Sequence, residues 1–189
     1  MPDSFSPSPQ KHRSILVTGG ARSGKSAFAQ SLVEASGLTP VYLATAQHSG
    51  DAEMAARIGL HRAARGPRWQ LVEEPLELAA ALAREARADR AVMVDCLTLW
   101  LSNVMFAGLE TDARMHHLAQ AVSGLPGPVV FVTNEVGSGI VPDNRLARDF
   151  RDAQGRLNQT MARACAAAVL VVVGLPVVLK PTAAPLPAL

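Results

Sequence analysis

Short apolar runs rich in β-branched side chains alternate along the chain with longer segments of helical spacing. Short, continuous apolar runs are typical of strands buried on both faces of a parallel sheet. The runs predicted as such strands are residues 15–17, 41–43, 91–94, 129–132 and 169–173. After the break at Gly174-Leu175-Pro176, residues 177–179 predict an edge strand that returns by a tight hairpin.

The segments between these runs carry apolar residues at the period of a helix. Helices are predicted over residues 26–35, 52–64, 76–88, 97–107, 113–122 and 144–168. Alternation of strand and helix indicates an α/β fold, with a mostly parallel sheet flanked by helices. Ligands of such sheets bind beyond the carboxyl ends of the strands, so the residues that follow each run are the first candidates for function.

The segment after the first strand matches G-x-x-x-x-G-K-[ST], the pattern of a phosphate-binding P-loop. Its residues are Gly19, Gly20, Ala21, Arg22, Ser23, Gly24, Lys25 and Ser26. The glycines let backbone N–H groups face a phosphate chain, Lys25 adds a positive charge, and the Ser26 hydroxyl is a predicted ligand of Mg²⁺. The following helix directs its positive end at the same anion. The alternative is an ordinary strand-to-helix turn.

Asp95 directly follows the apolar run 91–94. In P-loop enzymes an acid at a strand end holds Mg²⁺, partly through water, so Asp95 is the predicted metal-binding acid. The alternative is a helix N-cap. Glu135, after the fourth strand, is a second candidate, and its alternative is a solvated loop carboxylate. No N-K-x-D motif follows that strand, which argues against a switch GTPase.

Composition restricts the function further. The 189 residues suit one domain, and the net charge of +2 with scattered Lys and Arg does not indicate a nucleic-acid surface. The most apolar stretch, residues 164–179, is broken by Gly174 and Pro176 and is too short to span a membrane. Cys96 and Cys165 have neither metal-ligand spacing nor a disulfide pattern, which favours reduced thiols in the cytoplasm. The expected organisation is a disordered extension at 1–13, a domain at 14–180 and a flexible tail at 181–189.

One charged segment points to covalent chemistry. Helical spacing places Arg57, His61 and Arg65 on one face. Two guanidinium groups disfavour the imidazolium form and leave a neutral nitrogen nucleophile, as nucleotidyl transfer through histidine requires. Composition alone favours a surface histidine on a basic, solvated face.

Seven motifs together resemble one family. They are Gly-Gly-Ala-Arg-Ser-Gly-Lys-Ser at 19–26, Ala-Thr-Ala-Gln at 44–47, Glu-Met-x-x-Arg-Ile-x-x-His at 53–61, Trp69 with Val-Glu-Glu-Pro at 72–75, Asp-Cys-Leu-Thr-Leu-Trp-Leu-Ser-Asn at 95–103, Thr-Asn-Glu-Val-Gly at 133–137 and the run 148–159. Over roughly residues 15–180 the chain resembles the bifunctional adenosylcobinamide kinase / adenosylcobinamide-phosphate guanylyltransferase of cobalamin biosynthesis.

The resemblance implies a P-loop NTPase fold of the RecA type, a homotrimer and two successive reactions. ATP or GTP first phosphorylates the aminopropanol hydroxyl of adenosylcobinamide, with Lys25, Ser26, Asp95 and Mg²⁺ assisting. GTP then places its GMP on a histidine, which corresponds to His61, and the substrate phosphate takes the GMP to give adenosylcobinamide-GDP. The implied partners are the corrinoid and the two nucleotides, with no nucleic acid and no membrane span.

The family's guanine-nucleotide contacts correspond by position to Gly19 through Ser26, Ala44, Thr45, Ala46, Arg62, Ala63, Ala64, Arg65, Glu73 and Asp95. His48, His116 and His117 match no nucleophile position and are expected on the surface, whereas Trp100, Met105 and Phe106 are expected in the core. Two alternatives remain open from the sequence. One is a P-loop small-molecule kinase without guanylyl transfer, and the other is a nucleotide-dependent regulatory ATPase or scaffold.

Overall fold

A computed structural model describes residues 12–46 and 66–181. Seven strands form one sheet in the order β3-β2-β4-β5-β1-β6-β7. The strands are β1 Ser14–Thr18, β2 Thr39–Ala44, β3 Gln70–Glu73, β4 Arg90–Asp95, β5 Val129–Val132, β6 Ala167–Val172 and β7 Leu175–Lys180. All neighbouring strands run parallel except β6 and β7, which are antiparallel. The predicted α/β fold with a mostly parallel sheet is confirmed.

Five helices in the described part of the chain flank this sheet. They are α1 Lys25–Ala35, α2 Leu78–Glu85, α3 Leu97–Phe106, α4 Thr111–Val122 and α5 Arg145–Ala164. The helix predicted over 52–64 lies outside the described residues. None of the helices in the two described ranges is both long enough and apolar enough to cross a membrane.

The prediction missed one strand and extended one helix too far. The strand Gln70–Glu73 was missed because its ends are polar and much of it is exposed at the edge of the sheet. The last helix was predicted to run to residue 168, but it ends at Ala164 and Ala167 already lies in β6. The start of that helix agrees with the prediction, since the Asn144 side chain caps it by accepting from the Ala147 N–H at 2.8 Å.

The sheet separates two apolar clusters. Alternate strand residues point to opposite faces, so Leu16 packs with α2 to α5 on one face while Val17 packs with α1 on the other. Helix α1 packs mainly against β5 and β4. The helix begins beside the β6–β7 turn, where a Cβ atom at Gly24 would lie 3.1 Å from Gly174 Cα, and from there it crosses over β5 and β4.

Candidate active site

The P-loop joins β1 to α1 by a left-handed turn at Gly24, whose φ is 93°. Only glycine adopts this conformation without strain. Lys25 begins α1, and its side chain turns back so that Nζ donates a hydrogen bond to the Gly20 carbonyl at 3.0 Å. Lys25 is only 9 % exposed. The positive charge of Lys25 is therefore held against the loop, where a phosphate chain would lie.

Two neighbouring segments fix this loop in place. A Cβ atom at Gly19 would lie 2.5 Å from the Val171 carbonyl oxygen, so no larger residue fits there. The Glu135 N–H donates to the Gly19 carbonyl at 3.1 Å, and the Gly174 N–H donates to the Ser23 carbonyl at 2.8 Å. The segment after β5 and the β6–β7 turn thus both support the loop directly.

The strand register lines up the predicted site residues along one edge of the sheet. Val17, Val132, Asp95, Ala44 and Glu73 form one row across five neighbouring strands. At about 4.8 Å per strand, Asp95 lies roughly 10 Å from Val17 and Glu73 roughly 19 Å. Asp95 is therefore near the P-loop, whereas Glu73 lies at the far end of the row and is not brought together with it.

Asp95 belongs to the sheet face that α1 covers, because Met93, two residues earlier, packs there with Tyr42 and Val33. The Tyr42 hydroxyl donates to Asp95 Oδ2 at 2.5 Å. Asp95 is not the N-cap of α3, because Cys96 occupies the N-cap position and makes no side-chain capping hydrogen bond. The Asp95 carboxylate therefore lies on the face of the sheet that α1 covers.

The hydroxyl groups around the loop fit a phosphate chain with its magnesium ion. Ser26 lies in the first turn of α1, and no described residue hydrogen-bonds its hydroxyl. The hydroxyls of Thr18 and Ser23 are buried without a partner in the described residues, which suits contact with a ligand. Mg²⁺ in phosphate sites is held by one or two carboxylates together with phosphate oxygens, and Ser26 with Asp95 provides that donor set.

Thr45, in the segment after β2, has a structural role, since it joins two strand ends. It is fully buried, and its hydroxyl donates to the Cys96 carbonyl at 2.8 Å and accepts from the Cys96 N–H at 2.9 Å. Asn103 Nδ2 donates to the Thr45 carbonyl at 2.7 Å. Through Thr45, which lies between Ala44 and Ala46, these bonds connect the end of β2 to the end of β4. The nucleotide contacts assigned to residues 44–46 stay predictions.

A buried polar network beside the loop was missed by sequence reasoning. Thr133 Oγ1 donates to Asn158 Oδ1 at 2.7 Å, and Gln154 Nε2 donates to both of these atoms at 2.9 and 2.8 Å. Asn158 Nδ2 also donates to the Asn134 carbonyl at 2.9 Å. The sequence does contain a signal for this network: Gln154 and Asn158 are two amide side chains four residues apart on α5, next to the buried Leu157.

Two other residues bear on the sequence expectations. The Glu135 carboxylate is exposed and accepts from the Gly137 N–H at 2.7 Å, as expected of a solvated loop carboxylate. Phe106 was expected in the core, and this was wrong, because it is 78 % exposed. It and Met105 line an apolar cavity of about 390 Å³ between α3 and α5, whereas Trp100 is buried as expected.

Both cysteines are free and buried. Burial raises the pKa of the Cys165 thiol to about 12, against a smaller opposing effect of the Lys180 ammonium. Burial, and then the negative charge of Asp95, raise the pKa of the Cys96 thiol. Because burial raises both pKa values, the two thiols are protonated core groups at neutral pH.

No cluster of three metal-ligating side chains occurs within residues 12–46 and 66–181.

The family model described as cobinamide kinase / cobinamide phosphate guanyltransferase matches residues 15–179. The chain belongs to this CobU family. A relative from Pseudomonas aeruginosa, the bifunctional adenosylcobalamin biosynthesis protein CobP, is 46% identical over 167 residues, which cover 87% of this chain and 96% of the relative. CobU of Salmonella typhimurium is 43% identical over 183 residues, with 88% and 99% covered. The resemblance is confirmed, and the chain is a bifunctional kinase and guanylyltransferase of cobalamin biosynthesis.

Two solved structures superpose on this CobU-family chain with low TM-scores. The flagellar accessory protein FlaH from Methanocaldococcus jannaschii superposes with a TM-score of 0.48 at 12% identity, covering 89% of this chain and 79% of that one. The RadB recombinase superposes with a TM-score of 0.49 at 17% identity, covering 83% and 73%.

The predicted nucleophile and its neighbours lie outside the described residues. These are His61, Arg62, Ala63, Ala64 and Arg65, together with His48. His116 and His117 are exposed on α4, which confirms that they are surface residues. The structure therefore describes the P-loop and the strand edge with Asp95 among the predicted site residues, and their roles, like that of the histidine segment, stay predictions.

Proposed function

We propose that the protein phosphorylates adenosylcobinamide with ATP or GTP at the P-loop and then transfers GMP through His61. The observation that carries the proposal is the shared edge of the sheet. Lys25 and Ser26 begin the helix that crosses β5 and β4, and Asp95 ends β4 on the face that this helix covers. The family match over residues 15–179 includes the histidine segment.

In the kinase step the triphosphate lies along the P-loop, with Lys25 against its outer phosphates. Negative charge grows on phosphoryl oxygens during transfer, and positive groups that are already in position stabilise it. Ser26 directly and Asp95 partly through water would hold Mg²⁺, which supplies further charge neutralisation. The corrinoid hydroxyl attacks the γ-phosphorus, and the nucleoside diphosphate leaves.

In the guanylyl step a nitrogen of His61 attacks the α-phosphorus of GTP. A nitrogen–phosphorus bond forms, the bond to the pyrophosphate oxygen breaks, and the P-loop holds the departing pyrophosphate. A phosphate oxygen of the corrinoid then attacks the same phosphorus and releases His61. Covalent transfer divides one displacement between two bulky anions into two simpler ones.

The guanosine end of GTP is assigned to the rest of the predicted contact set. The assigned residues are Ala44, Thr45, Ala46, Arg62, Ala63, Ala64, Arg65 and Glu73. Glu73, roughly 19 Å along the strand row from Val17 at about 4.8 Å per strand, is too distant to share a phosphate with Lys25. Its contact is therefore with the base or the ribose.

We further propose that the enzyme is a homotrimer and works in the cytoplasm. The two free, buried thiols suit a reducing compartment. ATP, GTP and Mg²⁺ are all available there.

The test uses GTP labelled on its α-phosphate. Wild-type protein is incubated with Mg²⁺ and this GTP, denatured, and assayed for label that is lost in acid and stable in base, as expected of a phosphoramidate. Wild type should carry the label and His61→Ala should not. His117→Ala, which removes an exposed histidine of α4, is the matched control and should label like wild type.

A parallel assay of adenosylcobinamide phosphorylation, with the same protein, nucleotide and Mg²⁺, separates the alternatives. A wild-type protein that phosphorylates cobinamide but carries no label would be a kinase without guanylyl transfer. A protein that binds nucleotide but turns over no cobinamide would be a regulatory ATPase or scaffold. The first result would contradict the proposed role of His61, and the second would contradict the proposed function as a whole.

A further inference from the structure

Tyr42 makes a contact that neither the motifs nor the core explain. Its ring lies on the sheet face under α1 and is 8 % exposed, as expected of a core residue. Its hydroxyl, however, reaches across to β4 and donates to Asp95 Oδ2 at 2.5 Å. The two residues lie 53 positions apart in the chain. A core ring would not need this polar group, so the hydroxyl calls for its own explanation.

The position of the Tyr42 ring is itself fixed. Trp69 packs edge-to-face against it, with ring centroids 6.4 Å apart and planes at 78°. Trp69 Nε1 in turn donates to Glu34 Oε1 on α1 at 3.2 Å. The tyrosine is therefore held between a strand and a tryptophan that is tied to α1, the helix that begins with Lys25 and Ser26. A donor on such a ring has little freedom to turn away from its acceptor.

We propose that Tyr42 is a positioning residue for the magnesium-binding carboxylate of Asp95. By engaging Oδ2 the hydroxyl fixes the rotation of the carboxyl group and leaves Oδ1, to which no described residue donates a hydrogen bond, for the metal or its water. Outer hydrogen bonds that orient a metal ligand are a general feature of metal sites. This inference rests on the proposed metal role of Asp95.

The experiment measures binding, not turnover. A fluorescent, non-hydrolysable GTP analogue is titrated against wild type and Tyr42→Phe at a series of Mg²⁺ concentrations, and in EDTA. The phenylalanine keeps the ring and removes only the hydroxyl. We expect the Mg²⁺ concentration for half-maximal binding to rise about tenfold in the variant. Binding in EDTA should be unchanged, which also shows that the variant is folded.

A double-mutant cycle decides whether the hydroxyl acts through Asp95. In an Asp95→Asn background, the added Tyr42→Phe substitution should leave the Mg²⁺ requirement where Asp95→Asn alone puts it. Ser31→Ala removes an exposed hydroxyl of α1 whose hydrogen bond within the described residues is to the Phe28 carbonyl, and it should behave like wild type. These results together would support the inference.

Three outcomes would overturn it, and they point to different causes. If Asp95→Asn raises the Mg²⁺ requirement and Tyr42→Phe does not, Asp95 is the metal acid and Tyr42 does not position it. If Asp95→Asn itself leaves the requirement unchanged, the proposed metal role of Asp95 fails, and the inference fails with it. An equal effect of Tyr42→Phe in both backgrounds would also contradict positioning through Asp95.

Discussion

At Gly19 there is no room for one extra methyl group. A Cβ atom there would lie 2.5 Å from the Val171 carbonyl oxygen and 2.6 Å from Ser23 Oγ. Because the oxygen belongs to the backbone of β6, the strand itself would have to shift. We expect Gly19→Ala to lower the free energy of unfolding by about 1–3 kcal/mol. Urea denaturation without nucleotide measures this.

The adjacent glycine provides the control for this prediction. A Cβ at Gly20 meets no atom within 4 Å. We expect Gly20→Ala to change the free energy of unfolding by less than about 0.5 kcal/mol, as is usual for exposed positions. Equal losses in the two variants would show that the contact with Val171 does not control the loop.

Helix α5 anchors the segment after β5 through side chains. Asn158→Ala would remove the donor to the Asn134 carbonyl and the acceptor of the Thr133 hydroxyl. We expect it to lower the free energy of unfolding by about 1–3 kcal/mol, the cost of stranding buried polar groups. Gln159→Ala, at the next and exposed position of the same helix, should be nearly neutral in the same urea titration. A neutral Asn158→Ala would show that the network does not hold the segment.

The elements differ in how far the sequence predicted them. Central strands such as Val129–Val132 are continuous apolar runs, so the pattern identified them directly. The edge strand Gln70–Glu73 lacks that signal because its exposed positions are polar. The overrun at the end of α5 has another cause: alanine suits a helix, so Ala166 to Ala168 extend the helical pattern into a segment that pairs with β1.

The candidate site was predictable only as far as it is local in sequence. The P-loop is one contiguous motif, and Asp95 follows directly from its strand. The hydrogen bond between Tyr42 and Asp95 depends on the pairing of β2 with β4, which no local pattern encodes. The same is true of Gln154 and Thr133, 21 residues apart. Long-range pairing had to be seen before these groups could be assigned a role.

At the scale of the whole molecule, the β6–β7 end of the sheet exposes an unusual amount of apolar surface. Leu175 and Val177, two positions apart on one face of β7, are 66 % and 49 % exposed, and Val173 in the adjoining turn is 85 % exposed. Contiguous apolar patches are uncommon on monomeric proteins. We expect light scattering to give three times the 19.9 kDa mass of the chain. A mass equal to that of one chain at micromolar concentration would contradict the proposed trimer.

The place of β1 in the middle of the sheet also determines when the P-loop can be completed during synthesis. Its strand partners, β5 and β6, come far later in the chain, and the Ala166 N–H donates to the Ser14 hydroxyl across 152 positions. Pairings that close such long loops form slowly. A nascent chain that has not yet emerged as far as Val171 lacks both the carbonyl of Val171 and the turn that supports Ser23. The first motif to leave the ribosome is therefore among the last to acquire its working shape.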